Sequence, residues 1–369
     1  MIGKAVVAGH ICIDITPGIP SQGSDRIQDI LAPGRLINVG AADIHTGGAV
    51  ANTGLAMKFL GADVTLAGKI GDDAFGDMIL SITDSFGASE GLIRSAGDST
   101  SYSVVLAVPG IDRIFLHDPG ANDTFCADDI PMDAVNEAAL FHFGYPPLMK
   151  RIYANDGSEL VKIFKQVRQA GAATSLDLAA VDPDTDAGRT DWRKILINVL
   201  PYVDIFVPSI EELIFMLDRG KYDRLRNDNP DCDLTGVISL EEDIEPLGST
   251  CLDMGAKIVL IKCGAPGMYY CTAGPEHLGK ISARLSLDIS SWADKNGFVK
   301  SFKPGRVLSG TGAGDTSVAA FLTSILNGNG PEKCVRYAAA EGACCVEAYD
   351  ALGGLKTFEE IDKKIGAGW

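Results

Sequence analysis

Short apolar runs alternate with helix-period stretches along most of the chain, and polar or glycine residues stand where the apolar runs stop. Residues 5–13 read as a strand ending at Asp14, and residues 139–143 lead into Gly144-Tyr145-Pro146-Pro147. Residues 173–176 lead to Asp177, 203–207 to Pro208-Ser209, and 257–261 to Lys262-Cys263-Gly264. Runs separated by helices are βαβ units, so the pattern predicts a mostly parallel sheet with helices on both faces. Ligands of such sheets bind beyond the carboxyl ends of the strands, so the five strand ends mark one crevice. Two regions break the pattern. Residues 36–45, and 101–108 with 113–117, read as short antiparallel strands with a turn signal at Pro109-Gly110.

The segment 309–321 reads Ser-Gly-Thr-Gly-Ala-Gly-Asp-Thr-Ser-Val-Ala-Ala-Phe. Val318, Phe321, Leu322, Ile325 and Leu326 recur at helical spacing, so a core-facing helix begins directly after the glycines. Gly312 and Gly314 lack a Cβ, which lets their amides close on an anion, and the helix dipole adds positive charge at that end. A Walker A loop needs Lys where this chain has Asp315. An acid in a phosphate cradle repels a resting phosphate. It makes chemical sense as a base that takes a proton from a hydroxyl attacking a γ-phosphoryl group, while the amides hold the developing charge. The plainer alternative is a glycine-rich helix start with Asp315 as an ordinary first-turn charge.

A second signal is Gly47-Gly48-Ala49-Val50-Ala51-Asn52, followed by a helix and by a glycine-punctuated stretch from Gly61 to Gly76. Asn52, Leu55, Ala56 and Phe59 fall on one helical face, which puts an amide on an inward apolar stripe. A buried amide must find partners. Asn52 either satisfies local backbone or bonds a polyol docked over the paired glycines, and the second reading is preferred.

Together these segments resemble the PfkB/ribokinase family of sugar and nucleoside kinases. That family ends in Asp-Thr-x-Gly-Ala-Gly-Asp, matched here from Thr311 through Asp315, with Ser309 and Gly310 in place of the leading Asp and Thr. The resemblance implies a single ribokinase-like three-layer α/β/α domain over residues 1–369, with a mostly parallel sheet and a small β-strand lid from residues of about 14–46 and 99–122. It implies Asp315 as base and the amides of Gly312, Ala313 and Gly314 as anion hole. On the acceptor side it places Gly47, Gly48 and Asn52; Asp14, at the end of the first strand, is placed on the same side, and Arg113 of the lid either reaches a substrate oxygen or a phosphate or is a solvated face residue. On the nucleotide side it places Thr311, Lys262, Gly264 and Gly267, then Ser209 where the family carries Asn, Glu212 as the acid organising Mg²⁺ through water, and Gly342 in the adenine wall. Ser209 and Glu212 also stand at capping-box spacing, which is a structural reason for the same residues. In potassium-activated members the leading acid supports a cation site, and Ser309 removes that carboxylate.

Composition narrows the classes. The chain has 369 residues, 46% of them hydrophobic, with net charge -17 and an isoelectric point near 4.7. Such acidity argues against nucleic acid or an anionic membrane as partner. The nine cysteines have no Cys-x-x-Cys spacing, so reduced core thiols are expected. No apolar run is long enough to cross a bilayer and the N-terminus enters a strand, so a soluble cytoplasmic protein is expected. The first strand lacks Gly-x-Gly-x-x-Gly, which removes the main support for a nicotinamide enzyme. The reading is therefore an ATP- and Mg²⁺-dependent kinase of a small sugar or sugar-derived polyol. Its alternatives are a nucleoside kinase of the same family and a catalytically silent sugar-binding protein on this fold. Pairing of two lids in a homodimer is left open, and the stretches 218–245 and 278–303 carry no assigned chemistry.

Overall fold

Alternate side chains along the central strands enter two different cores. On Lys4–Gly9, Val6 and Ala8 join one buried cluster, whereas Ala5 and Val7 join another. Ile258–Lys262 divides in the same way, with Val259 and Ile261 on one face and Ile258 and Leu260 on the other. A strand buried on both faces needs helices on both sides, and this produces three layers. Helices Lys150–Ala170, Trp192–Val199 and Ile210–Leu217 cover the first face, while Gly48–Phe59, Ala313–Leu326 and Pro331–Cys345 cover the second. Phe141 and Phe143 are fully buried on Leu140–Gly144 and meet Phe164 edge-on. Each contributes about 1.5–3 kcal/mol by leaving water.

The computed structural model describes residues 3–19, 33–34, 36–107, 114–230 and 233–369. Its eight-stranded sheet runs Asn296–Lys300, Gly267–Thr272, Ile258–Lys262, Ile205–Phe206, Ala173–Leu176, Leu140–Gly144, Lys4–Gly9, Asp63–Ala67. All neighbours are parallel except the first two pairs, which are antiparallel at one edge. A separate four-stranded sheet has the order Ala42–Gly47, Cys12–Pro17, Tyr102–Leu106, Ile114–Asp118. The mostly parallel α/β architecture expected from the sequence is therefore present.

Several expectations need correction. The run 5–13 is not one strand: it breaks at His10-Ile11 and its halves enter different sheets. Gly9 takes φ +123°, and a Cβ there would lie 2.2 Å from the Gly144 carbonyl oxygen, so the two chains touch where the first strand ends. Residues 36–40 are not in a strand, and pairing begins only at Ala42. Phe59 is 43% exposed because it lies past the buried part of its helix, which runs from Gly48 to Met57. The stretch 218–245 contains helix Arg219–Asp228, which buries none of its residues, and two short helical turns. The stretch 278–303 supplies Trp292, packed edge-on against Phe321, and the edge strand Asn296–Lys300. The turn at Pro109-Gly110 and Arg113 lie outside the described residues.

The break at Ile11 is pinned by one distant side chain. Asn122 accepts from the Ile11 amide at 3.1 Å and donates to the Ile11 carbonyl at 2.9 Å, fully buried. Asn122→Ala leaves both backbone groups unpaired and should cost about 2–3 kcal/mol of stability in urea denaturation. A loss under about 0.5 kcal/mol would show that the corner holds without it.

Candidate active site

Helix Ala313–Leu326 starts from a residue that only glycine suits. Gly312 has φ +76°, and a Cβ on it would lie 2.3 Å from that of Ala351. A Cβ on Gly314 would lie 3.7 Å from Lys262 Nζ, an ordinary contact that places the lysine beside the first turn. The Ala313 amide faces Gly310 O at 3.4 Å, and Thr311 N donates to Ser309 Oγ at 3.1 Å. First-turn amides have no helical acceptor of their own and lie at the positive end of the dipole.

Asp315 sits in that first turn and is 3% exposed. Its carboxylate accepts from Asn52 Nδ2 at 2.9 Å and from the Tyr145 hydroxyl at 2.7 and 2.8 Å. Asn52 comes from helix Gly48–Phe59, whose residue Thr53 also bonds the Asp315 carbonyl. Tyr145 follows strand Leu140–Gly144 in a left-handed conformation, φ 66° and ψ 42°. Burial pushes the Asp315 pKa above the ordinary 3.8, while donation from Asn52 and Tyr145 and the charge on Lys262 oppose it. Burial and the Asp315 charge push the Tyr145 phenol well up, which keeps it a donor.

A buried ion pair stands next to this carboxylate. Lys262 Nζ lies 2.7 and 2.8 Å from the two oxygens of Asp177, which is fully buried at the end of strand Ala173–Leu176. Burial drives the Asp177 pKa up to about 7, with Lys262 opposing and Glu212 adding to the rise. Burial also disfavours the charge on Lys262, but Asp177 and Glu212 outweigh it and raise its pKa. Ser209 and Glu212 form the capping box that the spacing suggested: Ser209 N donates to Glu212 Oε2 at 2.7 Å, and Glu212 N to Ser209 Oγ at 3.3 Å. A β-bridge joins Ser209 to Lys262. Beyond Lys262 the chain turns through Gly264 and Gly267, which take φ +62° and +140°. Gly342 packs against the Ala313–Leu326 helix, where a Cβ would lie 2.4 Å from Ser317 Oγ.

The other flank carries Asp14 and the paired glycines. A Cβ on Gly47 would lie 2.2 Å from Asp14 Oδ2, and one on Gly48 would lie 2.6 Å from His10 Nδ1. Asp14 accepts from Cys12 Sγ at 3.4 Å, and burial raises its pKa. The fold thus gathers Asp14, Gly47, Gly48, Asn52, Lys262, Ser209 and Glu212 around Asp315. Asn52 touches the Asp315 carboxylate itself. Sequence reasoning gave no role to Tyr145 or Asp177, although both stand at strand ends that it had marked. His10 carried no signal beyond its place after the first strand. Among the described residues, no group of three or more His, Cys, Asp or Glu side chains could hold a metal ion, and no helix is long and apolar enough to cross a membrane.

Residues 4–357 match the profile described as pfkB family carbohydrate kinase. An uncharacterised sugar kinase of Archaeoglobus fulgidus is 26% identical over 304 residues, covering 82% of this chain and 98% of the relative. Fructokinase-1 of Zea mays is 27% identical over 328 residues, covering 85% and 86%. Among solved structures, Arabidopsis thaliana ribokinase complexed with ribose and ATP superimposes with a TM-score of 0.71 at 22% identity over 98% of both chains. Fructokinase from Xylella fastidiosa with bound ATP gives 0.71 at 21% identity over 99% of both. At these identities the structural likeness establishes the fold.

Tyr145 donates to the charged form of Asp315 and so holds its pKa down. In Tyr145→Phe the Asp315 carboxyl should titrate higher than in wild type, by about one pKa unit for about 1.4 kcal/mol of lost bonding. Carbon NMR of the labelled carboxyl measures this without turnover; an unchanged titration would mean that the phenol does not hold the charge.

Proposed function

This chain belongs to the PfkB family of carbohydrate kinases and is a sugar kinase; from that premise we propose that it transfers the γ-phosphoryl group of ATP to a hydroxyl of a small sugar or sugar-derived polyol, with Asp315 as general base. The observation that carries the reading is the buried Asp315 carboxylate, held by Asn52 and Tyr145 in the first turn of a helix that follows Gly312-Ala313-Gly314. A base so placed accepts the proton of the acceptor hydroxyl as its oxygen attacks the γ-phosphorus. The P–O bond to ADP breaks, and ADP leaves with the electron pair. Amides of Gly312, Ala313 and Gly314, at the positive helix end, meet the charge that gathers on the transferring group. Thr311, Lys262, Gly264 and Gly267 line the nucleotide side, and Gly342 supports the wall behind it.

Glu212 spends one oxygen on its own cap, a donor set that suits Mg²⁺ arriving on the nucleotide with its water shell. Glu212 would meet the ion through water, and the ion would neutralise phosphate charge. Ser209 keeps the cap that aims Glu212. Asp14, Gly47 and Gly48 face the acceptor. The four-stranded sheet serves as a lid whose closure excludes water and so suppresses ATP hydrolysis. The eight described cysteines are all buried thiols, as suits a cytoplasmic enzyme. An ADP-release screen across sugars, sugar acids and nucleosides tests the reading: turnover of a sugar supports it, and turnover of nucleosides alone overturns it.

Asp315→Asn keeps the shape but cannot take the proton. Turnover should fall about a hundredfold to ten-thousandfold, while ATP and acceptor affinities stay close to wild type. Retention of more than about a tenth of kcat would remove Asp315 from the base role.

Cation dependence follows from the loop ahead of the helix. Ser309 stands where a carboxylate would draw a monovalent cation, and its hydroxyl accepts the Thr311 amide instead. Exchanging potassium for a large organic cation at constant ionic strength should change kcat less than about threefold, against about tenfold for each 1.4 kcal/mol of barrier. Strong potassium activation would show that other oxygens rebuild the site.

A further inference from the structure

His10 is 2% exposed, and neither ring nitrogen has a hydrogen-bond partner among the described residues. Buried polar groups are seldom left unpaired, because each costs the full desolvation penalty. Three neighbours fix where this ring stands. Gly48 lies against it, since a Cβ there would fall 2.6 Å from Nδ1. The His117 ring of the four-stranded sheet is 5.3 Å away between centroids, and the Tyr145 ring is 6.1 Å away. Tyr145 in turn holds the Asp315 carboxylate, and His117 Nδ1 lies 3.0 Å from Ser103 Oγ. The imidazole therefore stands between the paired glycines, the small sheet and the base. Burial, with His117 adding, pushes the His10 pKa down to about 3. The ring is neutral at physiological pH and offers one donor and one acceptor. The titratable groups acting on this corner among the described residues are His117 on His10, Asp14 and Asp315 on Cys12, Asp14, Asp118 and Asp123 on His117, and His45 and His117 on Asp14, so carboxylates outnumber imidazoles there.

We propose that His10, backed by His117, selects the phosphate acceptor by bonding hydroxyls of an uncharged polyol through its two ring nitrogens. The inference rests on the sugar-kinase reaction proposed above. One nitrogen donates to a hydroxyl oxygen and the other accepts a hydroxyl proton; because the two nitrogens point to opposite sides of the ring, they bond hydroxyls that are not vicinal. An anionic sugar would bring its charge towards carboxylates. Wild type, His10→Ala and His10→Gln are compared on the full chain, with KM for acceptor and for ATP measured separately. Neutral sugars and polyols, sugar acids, sugar phosphates and deoxy analogues of the best acceptor are the probes. An uncharged polyol should be the best acceptor, and His10→Ala should raise its KM about tenfold or more with little change in the KM for ATP. His10→Gln, which keeps a donor and an acceptor, should recover most of the loss. One deoxy analogue should be penalised in wild type but not further in His10→Ala. The unchanged KM for ATP shows that the variants are folded; if His10→Ala does not fold, His10→Gln and the deoxy series on wild type decide. Preference for an anionic sugar, an acceptor KM that moves less than about threefold, or equal deoxy penalties in both proteins overturns the role of His10 alone. Turnover of no sugar at all, with ATP still bound, overturns the reaction itself.

Discussion

One carboxylate has to stay charged in a place that water barely reaches. Asp315 is 3% exposed, and an ion in that position survives only where donors replace its hydration. Asn52 and Tyr145 are those donors, and Lys262 adds a positive charge beside them. They come from separate parts of the chain. Asn52 rides on a helix of the second face, Tyr145 ends a central strand, and Lys262 ends the last parallel one. Displacing any of these elements leaves the carboxylate short of a partner, so its stabilisation depends on the register of the sheet and the seating of two helices.

The same logic divides the crevice in two. On one flank, Lys262 is committed to Asp177, whose pKa would otherwise climb further with burial, and the Ser209–Glu212 cap stands beside them. That flank sets one ammonium, Lys262, between two carboxylates. On the other, His10, His117 and the paired glycines present neutral donors and acceptors with carboxylates at the margin. In the proposed reaction Asp315 lies between the two, where a proton leaves one substrate as a phosphoryl group leaves the other. The break between Gly9 and Cys12 makes this geometry available: one continuous strand would have carried Asp14 along the central sheet, whereas the corner hands it to the small sheet.

What could be read in the sequence was local. The glycines that start the helix at Ala313 and the two-faced strands leave short-range patterns and match the structure, whereas the helix behind Asp315 is not amphipathic, since it is buried on all sides from Asp315 to Ile325. The partners of Asp315 left none, because Asn52 lies 263 residues away and Tyr145 170. Asn52 was marked as a buried amide seeking a partner, but nothing nearby names a carboxylate as that partner. Asp177 and Lys262, 85 residues apart, were each noticed at a strand end, and only the parallel pairing of strands makes them an ion pair. The corner at Ile11 was missed for the same reason, since Asn122, its support, is 111 residues distant. Glu212 shows the opposite case: its capping spacing was legible and is realised, and the same carboxylate still acts on Asp177 and Lys262.

In the proposed reaction the buried Asp315 carboxylate, with Asn52 and Tyr145 favouring its charged form, accepts the proton. The pH dependence of kcat/KM for the acceptor reports it most directly. Burial raises the Asp315 pKa, so activity should be full where the carboxylate is charged and should fall, as pH drops, through one ionisation centred above 3.8. A profile that stays flat as pH falls through 3.8, or an acid limb that persists unchanged in Asp315→Asn, would contradict the account.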